Sequence, residues 1–287
     1  MAYHILTDSG CDLTDELTKE LGLIIAPISV HSQGNHYLDY PDNRDISPAA
    51  YYSILRSGAE ASTSAPGISV FIQLMEDILK EGDDVLYLGF SSALSATYNT
   101  GAIAANELAE KYPDRKILTS DTLCASMGQG LLIYFAAMEQ KSGKSIEEVY
   151  EFVEKNKLNL CHWFTVDDLM FLHRGGRVSK GTAVIGGALN IKPIMHVDNE
   201  GRLIKTGVAR GRKNSIRALF DKMEERVTNT QTVFISHGDC IEDAEYLAQM
   251  IRNRFKVNDI RINYVGPVIG THSGPGTLAL FFLGTER

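Results

Sequence analysis

Cysteine is scarce. The four residues, Cys11, Cys124, Cys161 and Cys240, are far apart and form no CxxC pair. That spacing excludes a zinc ribbon and fits reduced thiols in a cytoplasmic protein rather than a disulfide scaffold. Long apolar runs are missing too. None approaches the roughly 20 residues a helix needs to cross a bilayer. The opening Met1-Ala-Tyr-His4 lacks the basic-then-apolar layout of a signal peptide. The eight histidines include no H-x-H or H-E-x-x-H spacing, so a metal enzyme is not expected. No G-x-x-x-x-G-K-[ST] loop occurs, nor a glycine-rich loop with a plausible Mg²⁺ ligand set, which argues against a kinase. Internal repeats and low-complexity tracts are absent as well.

What remains is a 287-residue chain of ordinary apolar content, long enough for two domains. Its net charge of −8 is unevenly spread. Arg174 to Arg217 holds ten Lys/Arg against two Asp/Glu, a local +8 that leaves −16 elsewhere. Such a basic segment fits a phosphate, an acidic partner, or simply a solvated face. Nucleic acid is not expected, because the acidic remainder repels it and no binding motif is present.

The central stretch is Asp84 to Thr97. Val85 to Gly89 reads as a buried strand and Leu94 to Lys111 as a helix, with Ser91, Ser92 and Ser95 between or just inside. A strand entering a helix through small hydroxylated residues can hold an anion, because the first helical amides lack partners. The plainer reading is helix capping. Ser62-Thr63-Ser64-Ala65-Pro66-Gly67 forms a second hydroxyl-rich entrance before a helix from Ile68 to Leu79.

The first half alternates strands (4–7, 23–30, 85–89, 117–119) with helices (15–21, 48–56, 68–79, 125–140). Residues 34–45 read as a surface loop. The alternation predicts a parallel sheet with helices on both faces, whose ligands bind beyond the carboxyl ends of the strands. Ser145-Ile-Glu-Glu148 has capping-box spacing. After about residue 158 the pattern mixes crossovers with a hairpin, Lys192–Val197 and Leu203–Val208, turning at Asn199-Glu-Gly201. A small-residue helix is expected over 182–189. The fold class is therefore α/β with two domains, 1–157 and 158–287. The glycine-rich tail, Gly270 to Gly276, leaves His272 in a turn, either free to reach a site or simply exposed.

Taken together, these stretches resemble the DegV family of bacterial fatty-acid-binding proteins. Ile5-Leu-Thr-Asp8-Ser9 is similar to the family's opening strand and aspartate loop. Thr63-Ser64-Ala65-Pro66 resembles its Thr-Ser-x-Pro motif. Ser91-Ser92-Ala93-Leu94-Ser95-Ala96-Thr97 resembles Ser-Ser-x-Leu-Ser-Gly-Thr, with Ala96 replacing glycine. Gly175-Gly176-Arg177-Val178 resembles Gly-Gly-Arg-Ile/Val. Gly270-Thr271-His272-Ser273-Gly274-Pro275-Gly276 resembles Gly-x-His-x-Gly-Pro-Gly. The resemblance spans nearly the whole chain. It implies two α/β domains with a long-chain fatty acid between them, and no cofactor. It also implies that the chain hands the acid to a separate ATP-using fatty-acid kinase for acyl-phosphate synthesis, touching the membrane only transiently.

The residues suit that job. Thr63, Ser64, Ser91, Ser92, Ser95 and His272 are the candidates for the carboxylate, with the serines of the central stretch left unresolved. No lysine or arginine lies in the two hydroxyl motifs, so the carboxylate would stay nucleophilic. Arg177, Arg210, Arg212 and Lys213 are candidates for phosphate or partner contact; Arg177 could equally be structural, bonded to carbonyls. Two rival readings remain. One is a serine acyl hydrolase, since Gly89-Phe-Ser91-Ser-Ala93 nearly spells G-x-S-x-G and His237 or His272 could serve as base. The other is a lipid-binding sensor without a catalytic partner.

Overall fold

A computed structural model describes residues 2–183 and 190–287. In chain order the first elements are β1 (Tyr3–Asp8), α1 (Asp15–Leu21), β2 (Ile24–Ala26), β3 (Ser29–Ser32), β4 (Asn35–Leu38), α2 (Pro48–Arg56) and β5 (Ala61–Ser64). There follow α3 (Ile68–Lys80), β6 (Asp84–Gly89), α4 (Thr97–Lys111), β7 (Ile117–Asp121), α5 (Ser126–Lys141) and α6 (Ile146–Asn156). The second half runs β8 (Leu160–Thr165), α7 (Met170–Arg174), α8 (Lys180–Ala183), β9 (Ile191–Val197), β10 (Leu203–Arg210) and α9 (Arg212–Arg226). It ends with β11 (Val227–His237), α10 (Ile241–Arg254), β12 (Asp259–Tyr264), α11 (Pro267–Ser273) and β13 (Leu278–Gly284).

The parallel sheet has the order β2-β1-β6-β7. Its strands are apolar on both faces, as strands covered on both sides must be. Leu6, Val85 and Tyr87 pack with Phe71, Met75 and Leu79 of α3 and Ala104 and Leu108 of α4. The alternate residues Ile5, Leu86 and Leu88 pack with Leu131, Leu132 and Ala136 of α5 and Val149 of α6. Helix boundaries follow local chemistry: Gly22 adopts φ 67° to end α1, and the reciprocal Ser145–Glu148 capping box opens α6.

A six-stranded mixed sheet has the order β10-β9-β8-β13-β11-β12. Alternation again sorts its faces. Phe164, Phe234, Ala279 and Phe281 join the α5 cluster, whereas Trp163, Val233, Ile235, Leu280 and Phe282 pack with Leu219 of α9 and Leu247 of α10. Helix α5 is thus buried between the two sheets and joins both halves of the chain in one core. Among the described residues, no helix is long and apolar enough to cross a membrane. The four cysteines are free.

Several local expectations need correction. The strand expected over 23–30 is two strands in two sheets. Pro27 lacks the N–H needed to continue a ladder, so β2 ends at Ala26 and β3 starts a separate antiparallel sheet of order β4-β3-β5. The surface loop expected over 34–45 contains β4, reached through a two-residue turn with positive φ at Gln33 and Gly34. Thr63 and Ser64 lie within β5, not at a helix entrance. Helix α4 starts at Thr97 rather than Leu94. His272 lies in α11, opened by Pro267, and not in a turn. The helix expected over 182–189 lies, from residue 184 onward, outside the described residues.

Candidate functional site

Beyond the carboxyl end of β6 lies a cavity of about 290 Å³, near the low end of the usual small-molecule range of ~300–1,000 Å³. Its walls come from both halves of the chain. Phe90, Leu94 and Ser95 follow β6; Ala125 and Ser126 open α5; Phe164, Ala279 and Phe281 belong to the six-stranded sheet; Val268, Ile269 and His272 belong to α11. Thr63, Leu172, Arg177, Val197 and Leu203 also line it. The surface is mainly aliphatic and aromatic, with few polar groups.

The loop after β6 is built by buried polar anchors. Asp8 accepts from the Phe90 amide at 2.9 Å and from the Gly10 amide at 3.1 Å. Burial pushes the Asp8 carboxyl up to about 6 despite those bonds. Ser95 Oγ accepts from the amide of Thr97, the first residue of α4, at 3.2 Å, while Ser95 also lines the cavity.

The polar end of the cavity is a chain of three side chains. Thr63 Oγ1 lies 2.8 Å from His272 Nε2, and His272 Nδ1 lies 3.5 Å from Arg177 Nη1. The always-charged guanidinium can only donate, which assigns Nδ1 as acceptor and Nε2–H as donor to Thr63. The Thr63 hydroxyl proton is then free to donate to a ligand. Burial, with Arg177 beside it, lowers the His272 imidazole to about 4, so it is neutral near pH 7. Gly175 makes the approach possible: a Cβ there would sit 2.2 Å from His272 Nδ1. Helix α11 is itself held by Tyr51, whose hydroxyl lies 2.6 Å from Thr271 Oγ1.

Arg177 is tied to backbone. Its Nε and Nη2 donate to Leu94 O at 3.1 and 3.0 Å, and Nη1 donates to Gly175 O. The Gly-Gly-Arg segment thereby clamps the serine-rich loop. Burial lowers the Arg177 pKa from its ordinary value.

The structure brings Thr63, Ser95, Arg177 and His272 to one cavity and sets the other candidates apart. Ser64 is exposed on β5, with Oγ 2.8 Å from His31 Nε2. Ser91 is fully buried and donates to Gly201 O at 2.9 Å, pinning the β9–β10 turn. Ser92 is outside the cavity wall, and its amide donates to the Asp121 carboxylate at 3.2 Å. Ser64 is turned away because successive side chains of β5 alternate, whereas Ser91 and Ser92 lie in the irregular loop after β6, where no such alternation applies. Arg210 and Lys213 are exposed. Arg212 is paired with Asp243 at 2.8 Å and more loosely with Asp167 at 3.7 Å, which fits a structural role better than docking. The hydrolase reading loses its nucleophile, since Ser91 contacts no histidine. His237 instead accepts from the Cys240 amide at 3.2 Å.

Other polar wall residues were not singled out from sequence. Ser126 adopts φ 54° at the start of α5 and donates to Asp12 Oδ2 at 2.5 Å. Its Oγ is also 3.1 Å from Ser236 Oγ. Ser273 and Thr277 complete that part of the wall. Ser126 follows a strand and opens a helix, the same signal that drew attention to Ser91. Among the described residues, no three His, Cys, Asp or Glu converge as a metal site.

Comparison with known proteins gives one consistent result. The family model described as "Uncharacterised protein, DegV family" matches residues 2–285. A DegV domain-containing protein of Clostridium perfringens is 49% identical over 287 residues, 99% of this chain and 98% of the relative. A solved structure of a fatty-acid-binding DegV family protein from Thermus thermophilus is 30% identical, with a TM-score of 0.88 over 99% of this chain and 100% of that one. The fold is shared with the Streptococcus pneumoniae fatty acid kinase B3 protein loaded with linoleic acid, at 21% identity, a TM-score of 0.86 and 99% coverage of both chains.

Proposed function

The chain belongs to the DegV family, and from that premise we propose that it binds a long-chain fatty acid and presents its carboxylate to a partner ATP-dependent fatty-acid kinase. The observation that carries the reading is an apolar cavity whose polar end is the Thr63–His272–Arg177 chain. The acid lies between the lobes 1–157 and 158–287. Its carboxylate accepts from Thr63 and Ser95, and its tail follows Phe90, Phe164 and Phe281.

The energetics suit a carrier. Each buried methylene is worth about 0.8 kcal/mol, so a ~16-carbon tail gains on the order of 10 kcal/mol gross, less ordering costs. The head is held by neutral donors. Arg177 spends its N–H groups on Leu94 O and Gly175 O instead of forking onto the ligand. A carboxylate held this way keeps its nucleophilicity for attack on the γ-phosphate of ATP, and the positive charge of Arg177 lies close to where phosphate arrives. In this reading the phosphoryl donor is held by the partner. The kinship with the Thermus protein supports the ligand, and the fold shared with the Streptococcus kinase subunit is compatible with the partner.

The test is reconstitution. Chain, fatty acid, Mg-ATP and a purified fatty-acid kinase are combined and acyl-phosphate is trapped with hydroxylamine. Acyl hydroxamate that forms only with the chain present is the expected result. Lipid bound without turnover would leave a binding protein or sensor. In Arg177→Ala, lower yield with lipid still bound is expected; undiminished yield would remove Arg177 from the transfer step.

A further inference from the structure

The head-binding reading uses Thr63, Ser95, Arg177 and His272, but the same cavity has polar side chains that it leaves unused. Ser273 is 5% exposed and lines the cavity, and its Oγ has no hydrogen-bond partner among the described residues. A buried donor without a partner is costly. Ser236 is fully buried on β11 and lines the cavity on the face that carries Phe234 and Ala279. Its Oγ meets Ser126 Oγ at 3.1 Å, and Ser126 in turn meets Asp12 Oδ2 at 2.5 Å.

Proton counting along that chain leaves one valence open at Ser236. With Asp12 ionised, Ser126 donates to it and Ser236 donates to Ser126, so Ser236 offers a lone pair. With Asp12 protonated, the direction reverses and Ser236 offers its O–H. Ser273 offers an O–H in either case. A ligand hydroxyl both donates and accepts and satisfies each arrangement; a plain methylene satisfies none. A second carboxylate brings a negative charge toward the carboxyl group of Asp12 and is disfavoured.

Resting on the fatty-acid reading above, we propose that the cavity has a hydroxyl-recognising subsite formed by Ser273 and the Ser236–Ser126–Asp12 chain, and that the preferred ligands are fatty acids with a hydroxyl on the acyl chain. Sites built to hydrogen-bond a substrate hydroxyl discriminate against analogues that lack it.

The full chain, stripped of lipid, is titrated with stearic acid, with 3-, 10- and 12-hydroxystearic acid, and with octadecanedioic acid. The expected result is that at least one hydroxy isomer binds about tenfold tighter than stearic acid, as one added hydrogen bond allows, with the diacid weakest. In Ser273→Ala and Ser236→Ala the ratio of hydroxy acid to stearic acid affinity falls toward one. The subsite is overturned if no hydroxy isomer outbinds stearic acid, or if the preference survives in both variants. Failure of every acid to bind would instead overturn the fatty-acid reading, and the subsite with it.

Discussion

His272 Nε2 lies 2.8 Å from Thr63 Oγ1, joining α11 to the edge strand of the small antiparallel sheet across 209 residues of sequence. Neither residue forms a site alone. The contact orients the Thr63 hydroxyl, and the Arg177 guanidinium fixes the imidazole that does so.

Replacing Thr63 with Val keeps the shape and removes the donor. Hydrogen bonds to a charged group are worth ~1.5–3 kcal/mol, so fatty-acid affinity should fall roughly 10- to 100-fold. Thr63→Ser should keep most of it. Displacement of a fluorescent fatty acid measures both. Equal affinity in Thr63→Val would show that this hydroxyl does not hold the head.

Two adjacent glycines separate site geometry from backbone strain. A methyl at Gly175 would lie 2.2 Å from His272 Nδ1, whereas one at Gly176 would meet nothing within 4 Å but would sit at φ 75°. Gly175→Ala should displace His272, weaken binding and cost about 1–3 kcal/mol of stability. Gly176→Ala should cost about 1 kcal/mol and spare binding. Urea midpoints alongside ligand titrations distinguish them; the reverse pattern would contradict the placement of His272.

Because the His272 imidazole is held down to about 4 by burial and by Arg177, it should not gain a proton between about pH 6 and pH 8. His272 should therefore contribute no pH dependence to fatty-acid affinity across that window, and His272→Gln should leave the shape of the pH profile unchanged. An ordinary histidine would tighten carboxylate binding as the pH fell through ~6.5. A tenfold gain on acidification that His272→Gln abolishes would show that His272 protonates in the site.

Folding stability should depend on pH through two buried acids. Burial raises Asp39 to about 7 and Asp8 to about 6. A raised native pKa means that the folded chain holds the proton more tightly than the unfolded one. The resulting stability is complete below the unfolded value of ~3.9 and is lost as pH rises through the native value. Relative to Asp39→Asn, the wild-type urea midpoint should therefore fall by more between about pH 5.5 and pH 8, a comparison in which the opposite pull of His272, lowered to about 4, cancels. A difference between wild type and Asp39→Asn that instead grows in favour of wild type as pH rises would contradict the burial of Asp39.

Much of the fold was legible because its strands and helices carry local signals. The all-apolar run at Val85–Gly89, the Ser145 capping box and Gly22 each predicted an element that is present. The small sheet was not legible: β3, β4 and β5 are short and half-polar, and their pairing is non-local. Its absence from the sequence reading moved Thr63 and Ser64 to a helix entrance. For the site, motif position brought Thr63, Ser95, Arg177 and His272 forward but could not tell which side of the chain each would face. Ser64 and Ser91 each lie next to a residue that lines the cavity, and for Ser64 the difference is one step of strand alternation. Ser236 and Ser273 carried no signal, because a serine on a strand or in a short helix is usually just a serine.

The most direct measurement is mass spectrometry of lipid extracted from the purified chain, paired with native mass spectrometry of the unextracted protein. The expected result is close to one long-chain fatty acid per chain, largely lost in the Thr63→Val, His272→Ala double variant while that variant remains folded. A folded wild-type chain that carries no fatty acid and takes none up from solution would contradict the central claim.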